Sequence, residues 1–445
     1  MAERVVVVGG DAAGMSAASQ ARRRRDDLDI VALERGPLVS YSACGIPYVV
    51  AGDIGSFDRL VARRAQEFRD RHRIDVRLRH EVMAVDLDGR ELEVRDHDHG
   101  RTFRLGFDQL VAATGGKPRR PDLPGVDLAH VHGVQTVADG EALVAYADQV
   151  QAKRVVVVGG GYIGLEMAEA MIRRGAAVTV VEGGPEVLRA LDLEMGHRVR
   201  AAMERIGIEV RVGVKVEGFE PASVHTSDGP LAADVVVLGT GVAPASELFT
   251  EAGVPGGVQG ALRVDRRQHT PVPGVWAAGD CAESFHRVSQ QPVHVPLGTV
   301  ANKQGRVAGI NLGGGYATFP GVVGTAVTKV CSLEVGHSGL NEAQAAEHGF
   351  MAEAATIEST VKAGYLDDAG TIAVRLVGER GTGRLLGGQI VGDQGAAKRI
   401  DVVATALTAG MRVADLIDLD LGYAPPFSSV WDPLQVAARA LEKRL

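Results

Sequence analysis

A short apolar strand that runs into glycines occurs twice in this chain, each time followed by a helix of small residues. Val5–Val8 leads into Gly9-Gly10-Asp11-Ala12-Ala13-Gly14, and Val155–Val158 into Gly159-Gly160-Gly161-Tyr162-Ile163-Gly164. Each copy continues to a second strand that ends in an acid: Ile30–Leu33 before Glu34, and Val178–Val181 before Glu182. Continuous apolar runs suit central parallel strands, and parallel strands need crossover helices, so the chain is committed to an α/β fold. In such a unit the first glycine makes a tight turn and the last lets the helix pack on the strand. The helix N-terminus can hold a pyrophosphate, and the acid accepts hydrogen bonds from a ribose. The second copy carries all three glycines, with Glu182 eighteen residues after Gly164. In the first, Glu34 stands twenty residues after Gly14, and Asp11 sits where backbone should approach the phosphates. A glycine turn in a nucleotide-free domain is the alternative for that copy. Glu182 would repel a 2′-phosphate, and Gly183, Gly184 and Pro185 supply no arginine to bind one, which favours NADH over NADPH.

The remaining segments can be placed around these units. At 445 residues the chain has room for roughly three domains. Residues 75–78, 82–87, 91–94 and 103–105 read as strands, and the run from Phe107 ends in Ala113-Thr114-Gly115, a tight exit suited to a flat cofactor. Pro118, Pro121 and Pro124 mark a linker. A second exit, Asp234 to Gly241, follows the second unit. Thr270–Asp280 reads as a turn and a strand closing in Ala278-Gly279-Asp280, and a helix starts near Leu297-Gly298. Beyond about residue 325 the pattern changes to an α+β module, with strands at 327–330, 371–376 and 385–391 and helices near 341–348 and 395–410. The tail from Tyr423 to Ser428 is expected to be extended because of its prolines, and a short helix runs to the end.

A net charge of −8 argues against nucleic acid as the main partner. Two basic clusters, Arg22–Arg25 and Arg63, Arg64, Arg69, Arg71 and Arg73, are either solvated helix faces or docking sites for an anionic ligand. No apolar run approaches the roughly 20 residues of a membrane span, and the opening strand does not resemble a signal peptide. Three scattered cysteines, Cys44, Cys281 and Cys331, give no disulfide framework, and the dispersed histidines have no metal spacing. A cytoplasmic enzyme, with cysteine chemistry that is catalytic if it exists, is the expectation.

Cys44 lies in Ser40-Tyr41-Ser42-Ala43-Cys44-Gly45-Ile46-Pro47-Tyr48, just after the first dinucleotide unit. A thiol there can meet the reactive end of a bound cofactor, and a helix starting beside it would lower its pKa. A buried, inert thiol is the alternative. It is the preferred reading for Cys281 and Cys331.

The two fingerprints, the two glycine-terminated strands and Ala278-Gly279-Asp280 together resemble the FAD-dependent pyridine nucleotide–disulfide oxidoreductases over essentially the whole chain. The resemblance implies two Rossmann-like nucleotide-binding domains, the NAD(P)H domain (121–248) inserted in the FAD domain (1–120 and 249–325), and a C-terminal α+β dimerisation domain (326–445). It implies FAD contacts at Gly9, Gly10, Ala13, Gly14, Glu34, Arg35, Ser42, Val82, Ala113, Thr114, Gly115, Gly279, Asp280, Leu297, Gly298 and Ala301. NAD(P)H contacts are implied at Gly159, Gly161, Tyr162, Ile163, Gly164, Glu166, Glu182 and Gly241. Tyr162 would gate the flavin and Glu166 would position the nicotinamide.

Members like glutathione reductase carry two cysteines four residues apart; here Cys44 stands alone. Its segment resembles the single-cysteine branch of coenzyme A disulfide reductases, persulfide reductases, and NADH oxidases and peroxidases. The proline–tyrosine after Cys-Gly-Ile, the run Asn302–Arg306 and the tail Tyr423–Ser429 are closer to the coenzyme A and persulfide reductases. That likeness implies a homodimer in which Tyr365 and Tyr423 reach the partner's active site, and coenzyme A contacts at Ser16, Gln20, Arg23 and Ser40. A rhodanese domain, present in the fused persulfide reductases, is not expected. Three positions depart from the pattern: Ala43 replaces asparagine, Val300 histidine and Trp431 lysine, which removes a cation and two polar groups from polyanion recognition. The expected reaction is NAD(P)H-dependent, FAD-mediated reduction of a small-molecule disulfide or persulfide through Cys44. An oxidase or peroxidase cycling Cys44 through sulfenic acid, and a flavoprotein redox sensor, are the alternatives.

Overall fold

In the computed structural model, residues 2–445 are described. Both apolar repeats are central strands of five-stranded sheets whose neighbouring pairs are all parallel. In the first sheet Arg4–Val8 lies between Asp29–Glu34 and Gln109–Ala112, with Asp75–Leu78 and Val275–Ala277 outside them. In the second, Arg154–Val158 lies between Ala177–Glu182 and Val235–Leu238, flanked by Glu209–Val212 and Val131–Gly133. Val5, Val6, Val7 and their counterparts Val155, Val156 and Val157 are essentially inaccessible, as strands covered on both faces require. Each unit carries a three-stranded antiparallel meander, His80–Asp86, Glu91–Asp96 and Arg101–Gly106 in the first, and Val216–Glu220, Ser223–Thr226 and Gly229–Ala232 in the second.

Strands of the first sheet come from both ends of residues 1–325, because Val275–Ala277 returns to pair with Gln109–Ala112. The two crossings between units pair as Gly116–Pro118 with Val242–Pro244. Helix Gly298–Leu312 then crosses helix Ala12–Arg24 at backbone contact. A Cβ on Gly305 would lie 2.2 Å from the Ala13 carbonyl oxygen, and one on Gly309 2.3 Å from that of Ala17.

The C-terminal module is a five-stranded antiparallel sheet in the order Ala326–Val330, Leu333–Gly339, Leu385–Gly392, Thr371–Glu379, Ala352–Thr360. Two of these strands, Leu333–Gly339 and Ala352–Thr360, are additional to those expected; their glycine, alanine and polar content hid them. A half-buried ion-pair network ties this sheet to the second unit. Asp192 accepts from Arg375 Nε and Gln389 Nε2, both at 2.7 Å, and Arg375 also reaches Glu342 at 2.6 Å. The tail is not extended as expected. The Phe427 and Ser428 amides donate to the Ala424 carbonyl, closing a turn over Pro425-Pro426, since proline also presets turns.

Candidate active site

The first cleft is built from glycines that tolerate no side chain. A Cβ on Gly9 (φ +112°) would lie 2.0 Å from the Ala113 carbonyl oxygen, and one on Gly14 2.0 Å from the Gly9 carbonyl. Ala13 lies in the first turn of the helix beside them, and Ala113-Thr114-Gly115 leaves the neighbouring strand, with Thr114 Oγ1 anchored on the Ala245 carbonyl at 2.5 Å. Glu34 accepts from the Gly10 and Gly36 amides at 2.8 and 2.7 Å, and exposed Arg35 lies between these partners in sequence. Gly279 donates to Gln304 Oε1 at 2.8 Å, and Gln304, fully buried, donates in turn to the Glu283 carbonyl and Ser284 Oγ. That bracket holds the turn that carries Asp280, whose carboxyl is near enough to Asp11 and Cys44 to act on both. Its carboxyl has no hydrogen bond among the described residues, and burial raises its pKa to about 6. Leu297, Gly298 and Ala301 form the first turn of the next helix. Val82 is a core side chain packed with Leu92, Val94 and Leu105, which leaves its backbone as the group able to meet a ligand.

Asp11, the departure from the fingerprint, is the N-cap of helix Ala12–Arg24. Its Oδ1 accepts from the Tyr41 amide at 3.2 Å, tying the phosphate turn to the cysteine segment. Burial raises its pKa to about 6, with Glu34 and Asp280 adding to the rise and the Tyr41 and Ala12 amides opposing it.

Cys44 is exposed on a single 3₁₀ turn, Ala43–Gly45, that runs into helix Ile46–Val50. Ser42 caps the turn, and at Gly45 a Cβ would lie 2.3 Å from Leu60 Cδ2, so a larger residue there would have to displace the Leu60 side chain. The expected lowering of the thiol pKa does not hold in this protein alone. Although the residue reaches the surface, the protein packed around its sulfur strips away part of its water, and this partial desolvation, then the carboxylates of Glu166 and Asp280, push it up. The helix beyond Cys44 has only five residues, too short to oppose two acids. Cys281 is fully buried and Cys331 sits on the hairpin between two strands of the C-terminal sheet.

Glu166 comes from the second unit, on helix Tyr162–Arg173, and accepts from Thr328 Oγ1 of the C-terminal domain at 2.8 Å. Burial raises its pKa. Tyr162, on the same helix, stacks on His337 with centroids 6.0 Å apart, and its buried hydroxyl has no hydrogen-bond partner among the described residues. Gly159 (φ +104°) and Gly164 repeat the tight contacts of the first unit, while Gly161 is the N-cap before Tyr162-Ile163. Gly241 (φ +89°) lies on the return crossing, where it receives the Arg119 amide. Glu182 accepts from the Gly160 and Gly184 amides at 2.8 and 2.6 Å. It also accepts from Arg189 Nη2 at 2.9 Å. An arginine therefore does stand at this acid, contrary to the sequence expectation; it arrives from beyond the tripeptide that follows Glu182.

Ser16 Oγ bonds Asn302 Oδ1 at 2.9 Å across the two crossed helices; Gln20 packs against Gly309, and Arg23 is exposed. Ser40 has φ +51°. Arg22 and Arg25 are spent on backbone carbonyls and on Glu3 and Asp27, so Arg23 and Arg24 are the outward-facing members of that cluster. In the second cluster Arg63, Arg64, Arg71 and Arg73 pair with neighbouring acids, and Arg69 holds the Val76 carbonyl, the pattern of a solvated face. Tyr365 and Tyr423 lie together on the exposed surface of the C-terminal domain, along with Phe427, Val430 and Trp431. Neither is among the groups around Cys44 within the chain.

The first cleft suits a flavin dinucleotide. It has turns where any Cβ would strike backbone, a helix N-terminus, an acid beside the adenosine end and an unpartnered carboxyl for hydroxyl groups. The fold has two Rossmann-like units, and Asp280 of one and Glu166 of the other lie near the same thiol, Cys44. The profile of the pyridine nucleotide-disulphide oxidoreductases matches residues 3–305, and that of their dimerisation domain residues 325–434. The NAD(P)H coenzyme A polysulfide/persulfide reductase of Pyrococcus horikoshii is 38% identical over 99% of both chains. An NADH oxidase of Methanocaldococcus jannaschii is 35% identical over 99% of both. Among solved structures, an NAD-dependent persulfide reductase from A. fulgidus superposes with a TM-score of 0.96 at 37% identity, over 99% of this chain and 83% of that one. An engineered NADPH oxidase derived from the Lactobacillus brevis NADH oxidase, bound to NADPH, superposes at 0.95 with 25% identity, over 99% and 98%. The chain belongs to the pyridine nucleotide-disulphide oxidoreductases, in the branch of the coenzyme A disulfide reductases, persulfide reductases and NADH oxidases, and is an NAD(P)H-dependent enzyme.

Proposed function

We propose that this enzyme reduces the disulfide or persulfide of a small thiol carrier, a coenzyme A derivative being the preferred substrate, with Cys44 as its redox sulfur. One observation carries the reading. Cys44 is the thiol exposed where the unpartnered Asp280 of the first cleft and Glu166 of the second unit converge. FAD would be held by the Gly9–Gly14 turn, Glu34, Ala113–Gly115, Asp280 and the Gly298 helix start, and when bound supplies the two-electron redox chemistry that side chains lack. NAD(P)H would bind at Gly159, Gly161, Gly164 and Glu182, with NADH preferred because the buried Glu182, even with Arg189 beside it, would accept hydrogen bonds from an unphosphorylated ribose diol.

The Cys44 thiolate attacks one sulfur of the substrate. A Cys44–substrate disulfide forms, the substrate's S–S bond breaks, and the departing thiolate takes a proton. Two electrons, originating from NAD(P)H, then cleave the mixed disulfide to the Cys44 thiolate and a second thiol. Glu166, held by Thr328, orients the nicotinamide. Tyr423 and Tyr365 of the other subunit of a homodimer orient the substrate sulfur and provide its proton. Ser16, Gln20, Arg23 and Ser40 line the approach for the carrier, and their mixture of hydroxyl, amide and guanidinium suits a phosphorylated thiol. A cytoplasmic setting belongs to the same proposal, since NAD(P)H is the reductant.

The 35% identity to an NADH oxidase supports a second reading, with oxygen or peroxide oxidising Cys44 to the sulfenic acid. Anaerobic NADH titration, with mass spectrometry of Cys44 as isolated, separates the two. A thiol-carrier adduct released on reduction supports the reductase. A sulfenate together with rapid oxygen consumption and no disulfide turnover overturns it.

A further inference from the structure

The C-terminal sheet lays one face on the second unit. Val335, Val391 and Ala373 are register partners across three of its strands, and they pack in the same core as Val155, Val157 and Met195 of that unit. Two residues along each strand, hence on the same face, runs a polar row: His337 opposite Gln389, Gln389 opposite Arg375, Arg375 opposite Thr356. His337 stacks on Tyr162 at the start of helix Tyr162–Arg173. Gln389 and Arg375 hold Asp192. Gln389 Oε1 accepts the Asp192 amide at 2.8 Å, and Gln389 Nε2 and Arg375 Nε each donate to the Asp192 carboxylate at 2.7 Å.

Asp192 closes the loop that begins at Glu182, and this loop is tied to the dinucleotide frame at each turn. Gly184 and Arg189 donate to the acid, and Leu188 (φ +51°), six residues after it, donates its amide to the Gly160 carbonyl at 2.8 Å. Further on, the ties pass to the C-terminal domain. Asn341 Nδ2 donates to the Arg189 carbonyl at 3.3 Å, and the contacts to Asp192 follow. Asp192 is the N-cap of helix Leu193–Arg205, a position where aspartate ordinarily accepts from its own helix. Here its carboxylate makes no capping bond and is given to the sheet instead. The first unit is built differently. Its loop also turns back at a left-handed residue six beyond the acid, Ser40 (φ +51°), whose amide donates to the Gly10 carbonyl. That loop is then held from within its own domain, by the Ser42 amide on the Leu60 carbonyl and the Ala62 amide on the Ser40 carbonyl.

Resting on the proposed NAD(P)H role of the second unit, we propose that Arg375 is a positioning residue for the reductant. Through Asp192 it holds residues 183–192 in the shape that presents Glu182 to the adenosine ribose, so affinity for the reductant depends on the C-terminal sheet and flavin binding does not. Its other nitrogens are bonded to Glu342 at 2.6 Å and Thr356 at 2.8 Å, so it acts on the nucleotide through Asp192 and not by contact.

The test uses the full-length, FAD-loaded enzyme. Calorimetry with ADP-ribose measures affinity without turnover, and anaerobic stopped-flow reduction of the flavin by NADH gives a Kd and a limiting rate separately. Arg375→Met should weaken ADP-ribose and NADH by about tenfold or more while the limiting rate stays within about threefold, because a displaced binding loop costs affinity and leaves the reacting atoms in place. Flavin content should be unchanged, and Arg375→Lys should recover part of the affinity. Asp192→Ala should reproduce the loss, and the double variant should bind no more weakly than Arg375→Met alone, since both changes break one contact. Unaltered ADP-ribose affinity in flavin-loaded Arg375→Met, whatever its melting temperature, would overturn the inference and leave the arginine a fastener between domains. If Arg375→Met does not fold, Asp192→Ala decides: ADP-ribose affinity within about threefold of the unaltered enzyme overturns the inference, and a larger loss supports it. Failure of the unaltered enzyme to bind ADP-ribose would overturn the reading of the second cleft itself.

Discussion

The two dinucleotide units share a frame and differ, among other positions, at the middle of the fingerprint and at the residue seven beyond the acid. In the second unit these are Gly161 and Arg189; in the first they are Asp11 and Tyr41, bonded to each other through the Tyr41 amide. The loop that carries Arg189 in one unit is, in the other, the loop that leads to Cys44. In one copy of the frame this loop places an arginine on the acid; in the other it runs on to an exposed thiol. Under the proposed function the common frame would bind nucleotide, and the chemistry would lie in the short loop that folds back on the fingerprint glycine.

Breaking the loop of the first unit at its sulfur has the largest expected effect. Cys44→Ser should lower disulfide or persulfide turnover by at least about a thousandfold, since the thiolate is the nucleophile, while the flavin absorbance of the purified enzyme stays unchanged. Persistence of turnover would remove Cys44 from the chemistry.

The shared frame can be broken symmetrically. Valine at Gly14 or Gly164 would drive a side chain into the Gly9 or Gly159 carbonyl, each 2.0 Å from the Cβ position. Each change should cost about 3 kcal/mol, but the functional losses should differ. Gly14→Val should yield flavin-poor protein. Gly164→Val should retain flavin and lose at least about a hundredfold in kcat/KM for NADH. Absorbance ratios and steady-state kinetics distinguish them, and identical outcomes would mean that the two clefts are not independent.

Much of this frame was legible from the chain because it is local. Apolar strands, glycines and terminal acids lie within about thirty residues of one another, and their spacing has a direct steric meaning. The glycines at 305 and 309, which let two helices cross, had no such local sign. Arg189 was missed for a related reason. A search of the three residues after Glu182 assumes a straight exit, whereas the left-handed residue at 188 doubles the chain back onto the acid. Thr328, which holds Glu166, and Arg375, which holds Asp192, reach across domains and leave no pattern in sequence. The pKa of Cys44 was misjudged because the acids facing it come from residues 166 and 280. The turn at 424–428 was missed because a Pro-Pro pair reads equally as extended chain.

The acids of the two units should respond to pH in opposite senses. Asp11 and Asp280 have native pKa values raised to about 6, so between about pH 4 and 6 the native state holds more protons than the unfolded chain. Stability of the flavin-free protein from these groups therefore falls as pH rises through that window and is flat above it. Glu182 is the reverse. Burial works against it, but the Gly160 and Gly184 amides and Arg189 hold its pKa below the usual carboxylate range. Its contribution is present above the unfolded value and is lost as pH falls through the native one. Melting temperatures of flavin-free protein across pH 4–7 check this. Asp11→Asn and Asp280→Asn should flatten the decline between pH 4 and 6, whereas Glu182→Gln should lower stability at pH 7 and weaken its loss at acidic pH.

The finest distinction between the units lies at their paired left-handed residues. A side chain in this conformation costs about 1 kcal/mol or slightly more, and glycine is free of that penalty. Ser40 is partly exposed and buries little, so Ser40→Gly should stabilise the enzyme by at most about 1 kcal/mol. Leu188 is only 2% exposed and packs in the core of the second unit, so Leu188→Gly gives up burial worth about 2–3 kcal/mol for the same conformational relief. The two substitutions should therefore have opposite signs in denaturant unfolding, even though the backbone angle they relax is the same. A matching sign would mean that the conformation itself, rather than what each side chain buries, governs how these loops are held.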